Sequence, residues 1–151
     1  MKVSKLESPL LDYWVARCLG HTARIVGGCE ILDWNRPGTK VNGCRFEPTT
    51  DWRQAGRIIE EDQIYLEPPH DVHASNFRPD GTLKGVWITY EAWHATVSAR
   101  TRTWSQGPDD AANMVGGRVG RGEGSTPLIA AMRAKVASHY GDEVPEENGY
   151  D

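Results

Sequence analysis

Gly124-Ser125-Thr126-Pro127-Leu128-Ile129-Ala130-Ala131-Met132-Arg133-Ala134-Lys135-Val136-Ala137-Ser138-His139-Tyr140-Gly141 carries every signal of one helix. Thr126 suits the N-cap, Pro127 the first helical position and Gly141 the end. Leu128, Ile129, Met132, Val136 and Tyr140 fall on one face, as in a helix docked on a core. Ala130, Ala131, Ala134 and Ser138 form a second face of small side chains, which would admit the close approach of another helix or a second subunit. His139 lies within the apolar arc and reads as a hydrogen-bonded core histidine. Upstream, Gly116-Gly117-Arg118-Val119-Gly120-Arg121-Gly122-Glu123 runs straight into this helix. Free backbone N–H groups, arginines and a helix N-terminus then meet at one turn, which favours a phosphate or carboxylate there. The segment is not a P-loop, because no lysine stands where a Walker motif requires one. A glycine hinge with solvated arginines is the plainer reading of the same residues.

The same pattern occurs near the start of the chain. Ser8 can cap, Pro9 can open and Gly20 can close a first helix. Leu10, Leu11, Trp14, Val15 and Cys18 share its core face, whereas Asp12, Ala16 and Arg17 fall elsewhere. Between the two helices the signals are those of strands and turns: Arg24-Ile25-Val26, Cys29-Glu30-Ile31-Leu32, Ile58-Ile59, and a run from Gly85 to Trp104. Trp93, Ala95, Val97 and Ala99 alternate with His94, Thr96, Ser98 and Arg100, as in a half-buried strand. Pro79-Asp80-Gly81 predicts a hairpin turn. The expected fold is α+β, a small antiparallel or mixed sheet flanked by an N-terminal and a C-terminal helix. One domain is expected to span 1–151, with a mobile Gly-rich loop at about 105–125 and an acidic tail fraying from 145.

Composition narrows the function classes. A chain of 151 residues can bury about two thirds of its unfolded surface without metal or disulfide staples. Its net charge of −4 argues against general nucleic-acid binding, which needs clustered Lys and Arg. Cys18, Cys29 and Cys44 are odd in number and show no C-x-x-C pair, so reduced, buried thiols are expected. No signal peptide or spanning segment is evident, and an intracellular, soluble protein is the expectation.

Three clusters could carry chemistry. In Thr50-Asp51-Trp52-Arg53-Gln54-Ala55-Gly56-Arg57, Asp51 or Thr50 could cap a short turn, Trp52 could offer a flat apolar face, and Arg53, Gln54 and Arg57 directional donors. Trp52 in the core is the commoner outcome for such a residue. Six tryptophans are many for this length, and Trp34, Trp52, Trp87, Trp93 and Trp104 lie in the β-rich middle, where a base-like ring could stack. His70-Asp71-Val72-His73, with His94, is a loose set for a metal. Glu60, Glu61 and Asp62 read as a solvated face.

Leu11-Asp12-Tyr13-Trp14-Val15-Ala16-Arg17, Thr50-Asp51-Trp52-x-Gln54-x-Gly56-x-Ile58-Ile59-Glu60, Trp93-x-Ala95 and Thr126-Pro127-Leu128-Ile129-Ala130-Ala131-Met132-Arg133 resemble the NinX-type family of small bacteriophage proteins. The resemblance implies a phage gene acting in the cytoplasm of the infected bacterium, and it brings no catalytic residues to carry over. It links the Asp51 and Thr126 clusters as halves of one pocket. The expectation is a non-enzymatic, homo-oligomeric phage accessory protein without a cofactor, which binds a small phosphate-bearing ligand and sequesters a nucleotide signal of host defence. Its ligand-binding set is Asp51, Trp52, Arg53, Gln54, Trp93, Arg118, Arg121, Gly124, Ser125, Thr126 and Arg133, with no metal ligands. A protein-binding inhibitor or adaptor of a host enzyme is the alternative. A metal-dependent hydrolase built on His70, Asp71, His73 and His94 is a third.

Overall fold

The computed structural model describes residues 1–32, 44–98 and 119–146. Trp34, Trp104, Ala99, Arg118, the Gly116-Gly117 pair, most of the segment read as a loop and the end of the tail lie outside the described residues. A short 3-10 turn (Val3–Lys5) precedes helix α1 (Leu10–Cys18). Strands β1 (Ala23–Ile25), β2 (Cys29–Ile31) and β3 (Cys44–Arg45), helix α2 (Trp52–Asp62), strands β4 (Tyr65–Glu67), β5 (His70–Phe77), β6 (Leu83–Tyr90), β7 (Trp93–Val97) and β8 (Gly120–Gly124), and helix α3 (Pro127–Tyr140) follow. Among the described residues these strands form three antiparallel sheets, in the orders β1-β2-β3, β4-β7-β8 and β5-β6. With helices near both ends and small antiparallel sheets between them, the architecture is the α+β fold that the sequence predicts.

α3 is the centre of the molecule. Its start is as the sequence predicts: the Thr126 hydroxyl accepts from the Ile129 amide at 3.2 Å, Pro127 opens the first turn, and Gly141 ends the helix at φ +89°. One flank packs on β4-β7-β8, another on α1, and its middle touches α2. Leu128, Ala130, Ala131, Met132, Ala134, Val136 and Ala137 are all buried, so the core face is most of the circumference and not a single stripe. His139 is the exception to the predicted arc. It is exposed, edge-on to Tyr140 at a ring distance of 4.7 Å.

The small-residue face of α3 receives neither another helix nor a second subunit but β8. Gly120, Gly122 and Gly124 alternate toward the helix, and a Cβ on Gly122 would overlap the Ala130 carbonyl oxygen and the Ala134 amide. On Gly124 it would lie 2.6 Å from the Ala130 amide nitrogen. Glycine on the strand and alanine on the helix therefore set the distance between sheet and helix. This corrects the reading of residues up to 125 as mobile loop: 120–124 form a strand paired with β7 in the register Trp93↔Gly124 to Val97↔Gly120.

Two further expectations change. Ile58-Ile59 lies in α2, not in a strand. The Asp51 carboxylate accepts from the Arg53 amide at 2.9 Å, and Ala55 and Ile58, three apart, are the buried residues of the helix. The i, i+3 spacing outweighed the β-branched pair. Asp12, assigned away from the core face of α1, is 1% exposed. It accepts from Ser8 Oγ at 2.6 Å, the Thr49 amide at 3.0 Å and Thr49 Oγ1 at 3.0 Å, and so ties α1 to the entry of α2. Of the cysteines, Cys29 is buried, Cys18 partly buried and Cys44 exposed.

β4-β5 and β6-β7 form one long ribbon folded at the predicted turn. The Asp80 carboxylate accepts from the Thr82 amide and hydroxyl at 2.9 and 2.6 Å, and Gly81 sits at φ +82°. Pairing runs from Phe77↔Leu83 to His70↔Tyr90 and resumes at Glu67↔His94. Pro68 and Pro69 thus lie opposite Glu91, Ala92 and Trp93, a one-residue mismatch that kinks the ribbon. Beyond the kink, β5 and β6 contact little besides each other among the described residues.

Candidate functional site

Alternation along the strands sorts the sheet residues into two faces. Leu66, Ala95 and Gly122 are in register on the α3 side, whereas Glu67, His94 and Glu123, and Tyr65, Thr96 and Arg121, are in register on the other. The kink carries this second face on into His70 and Tyr90. There it borders a cleft of roughly 1020 Å³ between the base of the ribbon, the edge at β8 and the Lys2–Ser4 segment. His70, Tyr90, His94, Arg121 and Glu123 line it, with Arg133 and Glu143 behind.

A series of rings crosses the cleft. His70 stacks on Tyr90 at 5.1 Å and 19°, and Tyr90 meets His94 edge-on at 5.3 Å. Each imidazole faces a carboxylate: His70 Nε2 lies 3.3 Å from Glu67 Oε1, and His94 Nδ1 lies 3.6 Å from Glu123 Oε1. His70 Nδ1 is 2.8 Å from the Pro68 carbonyl oxygen, which can only accept, so this nitrogen carries the proton. The arrangement presents planar faces for stacking beside one exposed guanidinium, Arg121.

The predicted site residues are divided by the fold. Arg121 and Arg133 line the cleft together. Arg133 is a brace: Nε and Nη2 donate to the Leu6 carbonyl at 3.1 and 2.8 Å, and Nη1 donates to the Glu123 carbonyl at 2.8 Å. Burial lowers its pKa from the usual arginine value. Gly124 lies beneath α3, Trp93 is partly buried against the core, and Ser125 is exposed beside the Thr126 cap. Asp51, Trp52, Arg53 and Gln54 do not line the cleft. Asp51 and Arg53 pair with each other, and Gln54 accepts from the Glu47 amide at 2.9 Å. Trp52 is 55% exposed, not core. The cleft therefore takes up only part of the predicted set: the Asp51 cluster caps α2, and the Thr126 cluster caps α3 beside β8.

The His70, Asp71, His73 and His94 set is likewise divided. His70 faces the cleft, whereas Asp71 and His73 alternate to the far side, where the His73 ring lies over Gly85 and meets Trp87 at 4.8 Å. Among the described residues, no three His, Cys, Asp or Glu side chains come together as a metal site. Lys2, Glu67, Tyr90 and Glu123 are the site residues to which the sequence reading gave no role. Counting back from the Asp80-Gly81 turn pairs residue 70 with 90, and that arithmetic would have placed Tyr90 beside His70.

Among the described residues, no helix is long and apolar enough to cross a membrane. No curated protein matches the chain. The family model described as Bacteriophage P22, NinX matches residues 2–139, from before the first turn to the penultimate residue of α3. The chain belongs to this NinX family of bacteriophage proteins.

Proposed function

We propose that this protein is a phage accessory protein that binds a small phosphate-bearing ligand without turning it over, in the cytoplasm of the infected cell. The carrying observation is that Arg121 and the rings of His70, Tyr90 and His94 open into one cleft of roughly 1020 Å³, a volume that accommodates a nucleotide. Arg121 and Lys2 would meet the phosphate, and a base would lie against Tyr90. The phosphate position is thus moved from the Gly124–Thr126 turn to the open face of β8, since the Thr126 hydroxyl already caps α3 and Gly124 is covered. Sequestering a nucleotide signal of host defence is the use such binding would have for a phage.

Isothermal titration and thermal shift with a panel of cyclic and ADP-ribose-type nucleotides test this reading. Binding raises the melting temperature, and Arg121→Ala and Tyr90→Ala each weaken it by about tenfold or more, which corresponds to about 1.4 kcal/mol. No heat and no shift across the panel would sink it. The alternative, an adaptor that binds a host protein, is favoured by Trp87, 70% exposed on the ribbon, and by Trp52. A stoichiometric protein partner recovered from host lysate, with no nucleotide bound, would decide for that alternative.

A further inference from the structure

The net charge of the cleft turns on its two imidazoles. Lys2, Arg121 and Arg133 bring three positive charges to the lining, and Glu67, Glu123, Asp142 and Glu143 bring four negative ones. With His70 and His94 neutral, the described lining is therefore negative by one charge; with both protonated, it is positive by one. The geometry favours the second proton on each ring. His70 Nδ1 gives its hydrogen to the Pro68 carbonyl, so a neutral ring turns the bare lone pair of Nε2 toward Glu67 Oε1 at 3.3 Å, acceptor against acceptor. A proton on Nε2 converts that conflict into an ion pair. His94 stands between two carboxylates, with Glu123 Oε1 3.6 Å from its Nδ1 and Glu67 in register on β4.

We infer that His70 and His94 gate the cleft by pH, holding a phosphate-bearing ligand when they are charged and releasing it when they are neutral. The gate regulates the site proposed above and rests on that reading of it. Its sign follows from which groups change charge. Imidazole does so between pH 5 and 8, whereas carboxylates ordinarily keep their charge down to about pH 5 and Lys and Arg keep theirs throughout. Falling pH thus adds positive charge to the lining while the carboxylates stay ionised, and affinity for an anion rises. The groups that face the two imidazoles are Glu67 on β4, Tyr90 on β6 and Glu123 on β8. Tyr90 touches both rings: His70 lies flat on it and His94 meets it edge-on. A charged His70 is held over the tyrosine face by a cation–π contact, so the new charge arrives beside the ring proposed to carry the base. His21, His73 and His139 do not line the cleft, which confines the effect to this pair.

Isothermal titration of the full chain with ADP-ribose and with cyclic AMP, at pH 5.5 and at pH 8, tests the gate. Neither probe carries a phosphate that titrates between these values, unlike a phosphate monoester, whose second pKa is about 6. The wild type binds about tenfold more tightly at pH 5.5. The double variant His70→Gln/His94→Gln, with an unchanged far-UV circular dichroism spectrum, loses that difference. Glu143→Gln removes one carboxylate from the lining without touching either imidazole pair, and it tightens binding at pH 8 about threefold while the pH difference remains. Equal affinity of the wild type at the two pH values, a difference that survives the double variant, or no gain from Glu143→Gln would overturn the gate and leave the ligand reading standing. No heat from either probe at either pH would remove both.

Discussion

Asp12 shows how a single residue can carry a junction and leave a signature in pH. Burial pushes its carboxyl above the ordinary value, and the hydrogen bonds from Ser8 and Thr49 offset only part of that. The folded chain therefore holds this proton more tightly than the unfolded chain. The Asp12 contribution is most favourable below the ordinary carboxylate pKa of about 4, and it declines as pH rises through the higher folded value, then levels off. In urea unfolding, the wild type should lose stability relative to Asp12→Asn between pH 4 and pH 7; equal pH profiles would refute this. Asp12→Ala leaves three donors without their acceptor and should cost about 2–4 kcal/mol at any pH in this range. The hydrogen-bonding capacity of Asp12 was legible in the sequence, but its burial was not, because the Thr49 partner lies 37 residues away.

At the scale of elements, the contact of β8 with α3 depends on what is missing from the strand. Gly120→Ala or Gly122→Ala places a methyl group against helix backbone that cannot move aside, and each should destabilise the protein by about 3 kcal/mol or more. Gly56→Ala makes the contrast. Gly56 lies inside α2 with nothing within 4 Å of an added Cβ, so the same substitution should stabilise by about 0.5–1 kcal/mol. Denaturant midpoints of the three variants check both signs. Sequence composition alone suggested a flexible segment around these glycines, since a glycine run is compatible with a loop and with a strand pressed against a helix. The alternate spacing of Gly120, Gly122 and Gly124 was the signal for the strand, and the Ala130, Ala134 and Ser138 stripe was its counterpart.

For the whole molecule, Arg133 joins three parts of the chain: it projects from α3 and donates to carbonyls of the N-terminal segment and of β8. Lysine offers a point charge where this geometry needs a fork. Arg133→Lys should therefore lower stability by about 2 kcal/mol and speed hydrogen exchange in residues 2–7 and in β8 together. Faster exchange in only one of the two would argue against a shared brace. Arg133 entered the expected ligand-binding set through the Thr126–Arg133 motif that resembles the NinX-type family, and its partners Leu6 and Glu123 turn it from ligand contact into scaffold. Lys135 plays a similar part toward α2, with its Nζ 2.6 Å from Asp62 Oδ2. Asp62 is thus an anchor within what reads from sequence as a solvated acidic run.

By itself the sequence determined the elements whose causes are local. The Thr126-Pro127 start and Gly141 end of α3, the Asp80-Gly81 turn, the alternation through Trp93–Val97 and the α+β class all follow from propensity, capping and periodicity within a few residues. Only the tertiary structure decided which of the polar residues meet. The Asp51 and Thr126 clusters share the grammar of helix caps, yet the Asp51 cluster does not line the cleft that Arg121 and Arg133 share. Glu67, His70, Tyr90, His94 and Glu123 look unrelated along the chain, yet they converge because a ribbon pairs residues across its turn and a one-residue kink keeps them on one face. That convergence is a product of register, which long-range strand pairing sets and local sequence does not contain.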